Sequence, residues 1–300
     1  VSGDDSEETG STLPRRQLGR YLREAREAAG MTILQAAGLM EWGKTTLQNL
    51  ETGRTHKVRS RTARELCELY GLDETTTQAL VGLAKQIPAR SWYHAYDDVI
   101  PADFNVYVGL EAGATELTIY QSLLVPGLLQ TVDYARALDV RFFRDETAEE
   151  VDRRVQMRLR RQNILTRQRY PASLIVVLQE AVLRTVVGDR SVMARQIRHL
   201  ADMSTRDNIE LRVLPFEAGA PSGVVMPPFV ILDFPQDARG KSLEPTIVFA
   251  ESMIGSMYFE STADVGAYRD AFNTVLNASM DVGPSRLKLR EMAREYGNGR

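Results

Sequence analysis

The sequence predicts an α+β chain: a small all-α module at the amino end, followed by a larger mixed α+β domain. Three observations carry this. Residues 15–87 read as a run of short helices punctuated by glycines. Strand-like apolar runs, SLIVVL, IELRVLP, FVILDF and PTIVFAE, come only after Pro171. Charge separates the front from the rest: residues 13–90 carry 13 Lys and Arg against eight Asp and Glu, in a 300-residue chain of net charge −3.

Taken in order, residues 1–12 (VSGDDSEETGST) hold four acids and no base, and are expected to form a disordered acidic tail. Residues 13–87 form the helical module. Leu18, Leu22, Ala25 and Ala29 make one stripe over Arg15–Ala29, and Gly30 ends it. Thr32 caps a helix over Ile33–Met40. Glu41-Trp42-Gly43 is a turn, and Lys44–Thr52 is a third helix stopped by Gly53. Further helices are expected at about Arg61–Tyr70 and Glu74–Gln86. Residues 88–110, rich in aromatics, read as a packed connector. Residues 111–300 form the second domain. Its helices are expected at about Glu111–Leu124, Leu128–Leu138 and Ala148–Gln168. The last carries a stripe of Val151, Val155, Leu159, Gln162 and Leu165. A helix near Val192–Met203 interrupts the strands, and two helices, Thr262–Ser279 and Pro284–Tyr296, close the chain.

Bulk properties narrow the function. No apolar run is long enough to span a bilayer, and no signal-peptide pattern is seen. Cys67 is the single cysteine, which excludes an internal disulfide or a Cys-based zinc site. Its spacing in ARELCELYGL suits a buried structural thiol, and the expected compartment is the cytoplasm. The basic front module suggests a polyanion partner.

Gly38–Thr45, GLMEWGKT, fits the G-x-x-x-x-G-K-[ST] pattern of a phosphate-cradling loop. Such a loop needs a buried strand in front and small residues in the cradle. Here a helix cap and two alanines precede it, and Glu41 and Trp42 occupy the cradle. The helix-turn-helix reading fits better. Ala37 is small where two helices cross, Trp42 plugs the turn, and Leu47 and Leu50 face inward. Lys44, Thr45, Gln48 and Asn49 remain on the outer face, where they suit base edges in a major groove. Thr32, Arg54, Lys57 and Arg59, with Arg61 beside them, suit phosphates. Spacing alone leaves open a plain helical bundle with a polar exterior.

The stretch MTILQAAGLMEWGKTTLQNLETGR resembles the helix-turn-helix of the Xre/lambda-repressor class, with its small Ala and its Leu-Glu-x-Gly close. It departs at Glu41, where Gly is usual in the turn, and at Gly43, where Ser or Thr usually caps the recognition helix. VPGLLQTVDYARAL (Val125–Leu138) resembles a domain of unknown function found behind such modules in actinobacterial regulators, described as antitoxin-like and including WhiJ-like regulators. WYHAYDDVIPADFNVYVGLEAGA, LQEAVLRTVVGDRSVMARQIRHL, IELRVLPFEAG, PPFVILDF, VFAESMIGSMYFE and PSRLKLREM extend the resemblance over residues 15–295. It departs at Pro221-Ser222-Gly223 and Pro227-Pro228.

Catalytic signals are sparse. His56, His94 and His199 lie far apart without ligand spacing, and His199 reads as a packed or surface residue. Glu180 and Arg184 have the spacing of a helix ion pair. Glu251, Tyr258 and Glu260 could line a pocket or sit at a sheet edge. Ser222 lacks a nucleophile elbow. The expected function is therefore a DNA-binding transcriptional regulator, a dimeric repressor or autoregulator that is no enzyme and uses no cofactor or metal. Its partners are a double-stranded operator, a second copy, and either a small protein encoded nearby, as the antitoxin-like resemblance implies, or a small-molecule effector; no membrane is involved. An enzyme fused to a DNA-binding module is the remaining alternative.

Overall fold

A computed structural model describes residues 13–55, 58–87, 92–96, 98–99, 102–236, 242, 244–252 and 255–298. The expected acidic tail, His56 and Lys57 lie outside the described residues, as does the side chain of His94. The chain divides into two compact units: residues 1–95 with 108–113, and residues 96–107 with 114–300.

Five helices described by the structure lie wholly within the first unit: α1 (Leu13–Ala28), α2 (Ile33–Leu39), α3 (Lys44–Glu51), α4 (Ser60–Leu69) and α5 (Glu74–Gln86). Their apolar stripes meet in one core of Leu18, Leu22, Ala36, Ala37, Leu47, Leu50, Leu66, Cys67 and Leu80, with Trp42 packed against it. Burying a leucine in such a core contributes about 1.5–3 kcal/mol. Thr32 opens α2 with a capping box: its hydroxyl oxygen accepts from the Gln35 N–H, and Gln35 Oε1 accepts from the Thr32 N–H. Asp73 caps α5 by accepting from the Thr76 N–H at 2.9 Å.

The second unit is built on a six-stranded mixed sheet of order β3-β2-β1-β4-β5-β6. The strands are β1 (Glu116–Gln121), β2 (Ser173–Gln179), β3 (Ile209–Leu214), β4 (Phe229–Asp233), β5 (Ile247–Ser252) and β6 (Gly255–Phe259). β1, β2 and β3 run parallel, with Tyr120 opposite Val177 and Val177 opposite Arg212. β4, β5 and β6 continue antiparallel. The outer edge of β3 is covered by the segment from Met280 to Ser285: Val213 N–H donates to Ser285 Oγ at 3.0 Å, and Met280 N–H donates to the Val213 carbonyl at 2.9 Å. The helices are α6 (Ala102–Gly113, shared between the units), α7 (Val132–Phe142), α8 (Ala148–Arg161), α9 (Asn163–Thr166), α10 (Glu180–Arg184), α11 (Arg190–Met203), α12 (Thr262–Ala278) and α13 (Val282–Gly297).

Three expectations are corrected here. The helix expected at Glu111–Leu124 is the end of α6 followed by β1. Leu117, Thr118, Ile119 and Tyr120 are all buried, so β1 lies covered on both faces and shows no alternation. A buried strand of that kind has the same periodicity as a buried helix segment. The helix expected at Leu128–Leu138 is a 3-10 turn, Gly127–Leu129, followed by α7. The long helix expected over Ala148–Gln168 breaks at Gln162, between α8 and α9. Its stripe is no free surface: Val151, Val155 and Leu165 are buried within this chain.

Candidate nucleic-acid interface

Four helices of the first unit end in one motif. After α1, α2, α3 and α4 a residue in left-handed conformation donates to the carbonyl three residues back, and the next residue donates five back: Gly30 to Glu27 and Met31 to Arg26, Glu41 to Gly38 and Trp42 to Ala37, Gly53 to Leu50 and Arg54 to Asn49, Gly71 to Glu68 and Leu72 to Cys67. This is the Schellman arrangement, which satisfies the last carbonyls of a helix. Gly30, Gly53 and Gly71 take φ near +70°, and Glu41 takes φ 57°. The turn between α2 and α3 is thus a helix stop, with Trp42 as its apolar follower.

The segment in front of Lys44 is a helix, and the first strand among the described residues comes only at Glu116. Gly38 and Leu39 belong to α2, so no strand-and-cradle geometry surrounds GLMEWGKT.

α3 is held by its inner face. Leu47 and Leu50 are buried, and Lys44, Thr45, Thr46 and Gln48 are exposed. Asn49 is half-buried, at the side of this face. Its carbonyl accepts from the Arg54 and Thr55 N–H groups. Gly43 caps α3 with extended backbone and no side-chain hydrogen bond. Arg54 is exposed directly after the stop, and Arg59 is exposed at the start of α4. Arg61 is exposed and pairs with Glu65 at 2.7 Å. The Thr32 hydroxyl donates to Gln35 Oε1 at 2.9 Å within the capping box.

Three further residues, Arg26, Glu51 and Gly19, fix the position of α3. Arg26 grips Glu51 with Nε and Nη2, at 2.6 and 2.9 Å, and its Nη1 donates to the Met31 carbonyl at 2.8 Å. Both side chains are buried. The hydrogen bonds that Arg26 donates to Glu51 raise its pKa above the ordinary value, against the opposing effect of burial. Gly19 lets α1 cross the end of α3. A Cβ there would lie 2.5 Å from the Leu50 carbonyl oxygen and 2.6 Å from that of Glu51. A glycine inside a helical pattern is itself a signal of close packing. The partner of Glu51, 25 residues away in sequence, leaves no such signal.

In the second unit Glu180 is buried, and it accepts from Arg184 at 2.6 Å, from Lys288 at 2.6 Å and from the Phe216 N–H at 3.3 Å. Burial alone would raise its pKa, yet these donors hold it below the ordinary value. His199 is half-buried with Nε2 lacking a protein partner, and burial lowers its pKa. Ser222 donates to the Val224 carbonyl in an exposed loop. Among the described residues no group of His, Cys, Asp and Glu is arranged to hold a metal ion. No described helix is long and apolar enough to cross a membrane.

The first unit is a helix-turn-helix module, and a family model described as a helix-turn-helix domain matches residues 17–80. Such a module marks a DNA-binding regulator. A second model, the domain of unknown function DUF5753, matches residues 104–291, well over half the chain, and the protein belongs to that family. No curated protein and no solved structure matches it.

Proposed function

We propose that the chain is a cytoplasmic, dimeric transcriptional regulator, a repressor or autoregulator, that reads an operator with the outer face of α3. The observation that carries this is the division of α3: Leu47 and Leu50 are buried while Lys44, Thr45 and Gln48 stand exposed on the other side. Lys44 donates to guanine, Gln48 pairs with adenine, Thr45 meets either an edge or a thymine methyl, and Asn49 reads from the flank. Arg54, Lys57 and Arg59 neutralise phosphates, and the α2 start at Thr32 approaches the backbone. Because Thr32 is engaged in its own capping box, its part is to hold α2 in place.

The second unit receives the signal and joins two copies. The resemblance to antitoxin-like, WhiJ-like regulators of actinobacteria favours a small protein encoded nearby as the input. A small-molecule effector is the second reading; the groove lined by Arg184, Met280, Leu287, Lys288 and Glu291 is open and charged, and Arg184 and Lys288 there already donate to Glu180, so the groove does not by itself favour this reading. We assign no catalytic role; Glu180 is held by three donors, Arg184, Lys288 and the Phe216 N–H.

The test begins by selecting an operator from random duplexes with the full chain. Gln48→Ala is expected to cost about 1–3 kcal/mol on that operator and to relax preference at one base position. Arg54→Ala is expected to weaken all duplexes alike and to lower the salt slope by about one unit. The same uniform loss from both substitutions would refute the face assignment.

A further inference from the structure

We infer that two copies of this chain join by exchanging a loop tip, with Val224 and Val225 of each copy seated in the groove along α13 of the other. This rests on the reading of the second unit as the part that joins two copies, and names the surface it uses. The tip is built for contact. Residues 215–228 join β3 to β4, a long connection for a compact domain. From Ala218 to Pro228 it holds no charged residue. Ala218 and Met226 anchor it by packing against the core of Tyr120, Phe229 and Phe272. Between these anchors the chain is braced. Gly219 and Gly223 take φ 65° and 67°, the Gly223 N–H donates to the Ala220 carbonyl at 3.0 Å, and Ser222 Oγ donates to the Val224 carbonyl at 3.0 Å. Pro221, Pro227 and Pro228 fix φ at their positions. The bracing holds two apolar side chains out in water: Val224 is 68% exposed and Val225 98%. A braced tip of β-branched side chains has little freedom to lose on docking.

The groove matches it. Its volume is about 410 Å³, and Met280, Pro284, Leu287 and Met292 give it apolar walls. Its two cations, Arg184 and Lys288, already donate to buried Glu180, and its remaining charges are carboxylates, so no cation is left for an anionic ligand. What stays open is apolar, with Leu287 60% exposed. An uncharged tip suits such a groove, with charged groups around the rim. Tip and groove also belong to one unit of one chain. Phe216, at the start of the loop, donates its N–H to Glu180, and the Arg184 guanidinium lies 5.9 Å from its ring centroid. Two complementary features on one subunit close into a pair about a two-fold axis, each tip meeting the other copy's groove. The stripe on α8 is buried and offers no rival surface. Pairing of this kind links two operator-reading modules.

The experiment compares the full chain with its V224S/V225S and L287E variants by analytical ultracentrifugation. All three positions are exposed, and urea midpoints confirm that each variant folds. The wild-type chain is expected to dimerise, and either variant to self-associate at least about tenfold more weakly, the size of effect that loss of a buried valine or leucine brings. A V225C chain mixed with an L287C chain is expected to give a disulfide-linked heterodimer on air oxidation, faster than either chain alone gives a homodimer. Cys67 is buried and stays out of this reaction. Wild-type dimers that persist unchanged in both variants overturn the inference, assign the tip to another occupant and leave the dimer reading intact. Weakened dimers without the V225C–L287C disulfide overturn the seating of the tip in the groove. A wild-type chain that is monomeric at every concentration overturns the dimer reading, and the exchange with it.

Discussion

Among the described residues of the first unit, Glu41 stands at the one left-handed helix stop that lacks a glycine. An L side chain in that conformation costs about 1–2 kcal/mol, and the glycine that relieves it gives part of this back through the entropy of the unfolded chain. Glu41→Gly is therefore expected to stabilise the first unit by about 0.5–1 kcal/mol, read from urea denaturation followed by Trp42 fluorescence. Glu41→Gln keeps the strain and removes the charge, so a gain from Gln equal to that from Gly would refute the strain account. Glu51 works the other way. Its carboxylate is buried against Arg26 with two hydrogen bonds. Glu51→Ala leaves the guanidinium buried and uncompensated, which costs about 3–5 kcal/mol. The expected outcome is loss of a cooperative transition in the first unit, and a loss under 1 kcal/mol would mean that water replaces the carboxylate easily.

At the scale of elements, position is set by close approach. α1 crosses the end of α3 at Gly19, where no Cβ fits without moving backbone. Gly19→Ala gains helix propensity of about 1 kcal/mol but forces the two helices apart. The net expectation is destabilisation by about 1–3 kcal/mol and weaker binding to every duplex, since α3 is displaced with its whole face. Calorimetry and duplex titration check it, and a more stable variant with unchanged affinity would contradict the crossing. In the second unit the 3-10 turn Gly127–Leu129 is held by glutamines. Gln162 donates to the Gly127 and Gln130 carbonyls, at 3.1 and 2.7 Å, and Gln196 donates to the Leu129 carbonyl at 2.7 Å. Glu180 ties α10 to α13 and to the turn after β3. Its folded pKa lies below the ordinary 4.5. A depressed folded pKa means that the stabilisation is present above the unfolded value and is lost as pH falls through the folded one. The urea midpoint of the second unit is expected to drop on acidification below about pH 4.5, and less steeply in Glu180→Gln. Parallel pH profiles for the two proteins would remove Glu180 from the acid response.

Over the whole molecule, each unit has its own core, Leu18, Leu47 and Leu66 in the first and Tyr120, Phe229 and Phe272 in the second. The stripe on α8 lies inside one chain and is unavailable for pairing. The proposed dimer must therefore use another surface of the second unit. Residues 13–90 alone are expected to be monomeric and to bind a half-site weakly, whereas the full chain binds the operator as a dimer with a gain from effective concentration. Light scattering with operator titration decides this, and a truncated module that dimerises and binds as tightly as the full chain would remove the assembly role from the second unit.

The sequence by itself determined the short helices of the first unit, because each carries a boundary signal of its own: a glycine at φ near +70° that stops it, or an N-cap such as Thr32 or Asp73 that starts it. It determined the inner and outer faces of α3, since a 3.6-residue period sorts Leu47 and Leu50 from Lys44, Thr45 and Gln48. It also determined that strands follow Ser173, since SLIVVL and FVILDF are short, β-branched and bounded by turn residues. Only the tertiary structure decided that Glu116–Gln121 is a strand, because a segment buried on both faces carries no period of its own and takes its form from its neighbours Ser173–Gln179 and Phe229–Asp233. Only the tertiary structure decided that Glu51 is an ion-pair partner and Gly19 a crossing point. Both follow from α1 and α3 meeting in space, and the distance between those helices is set by packing that no local run of residues records.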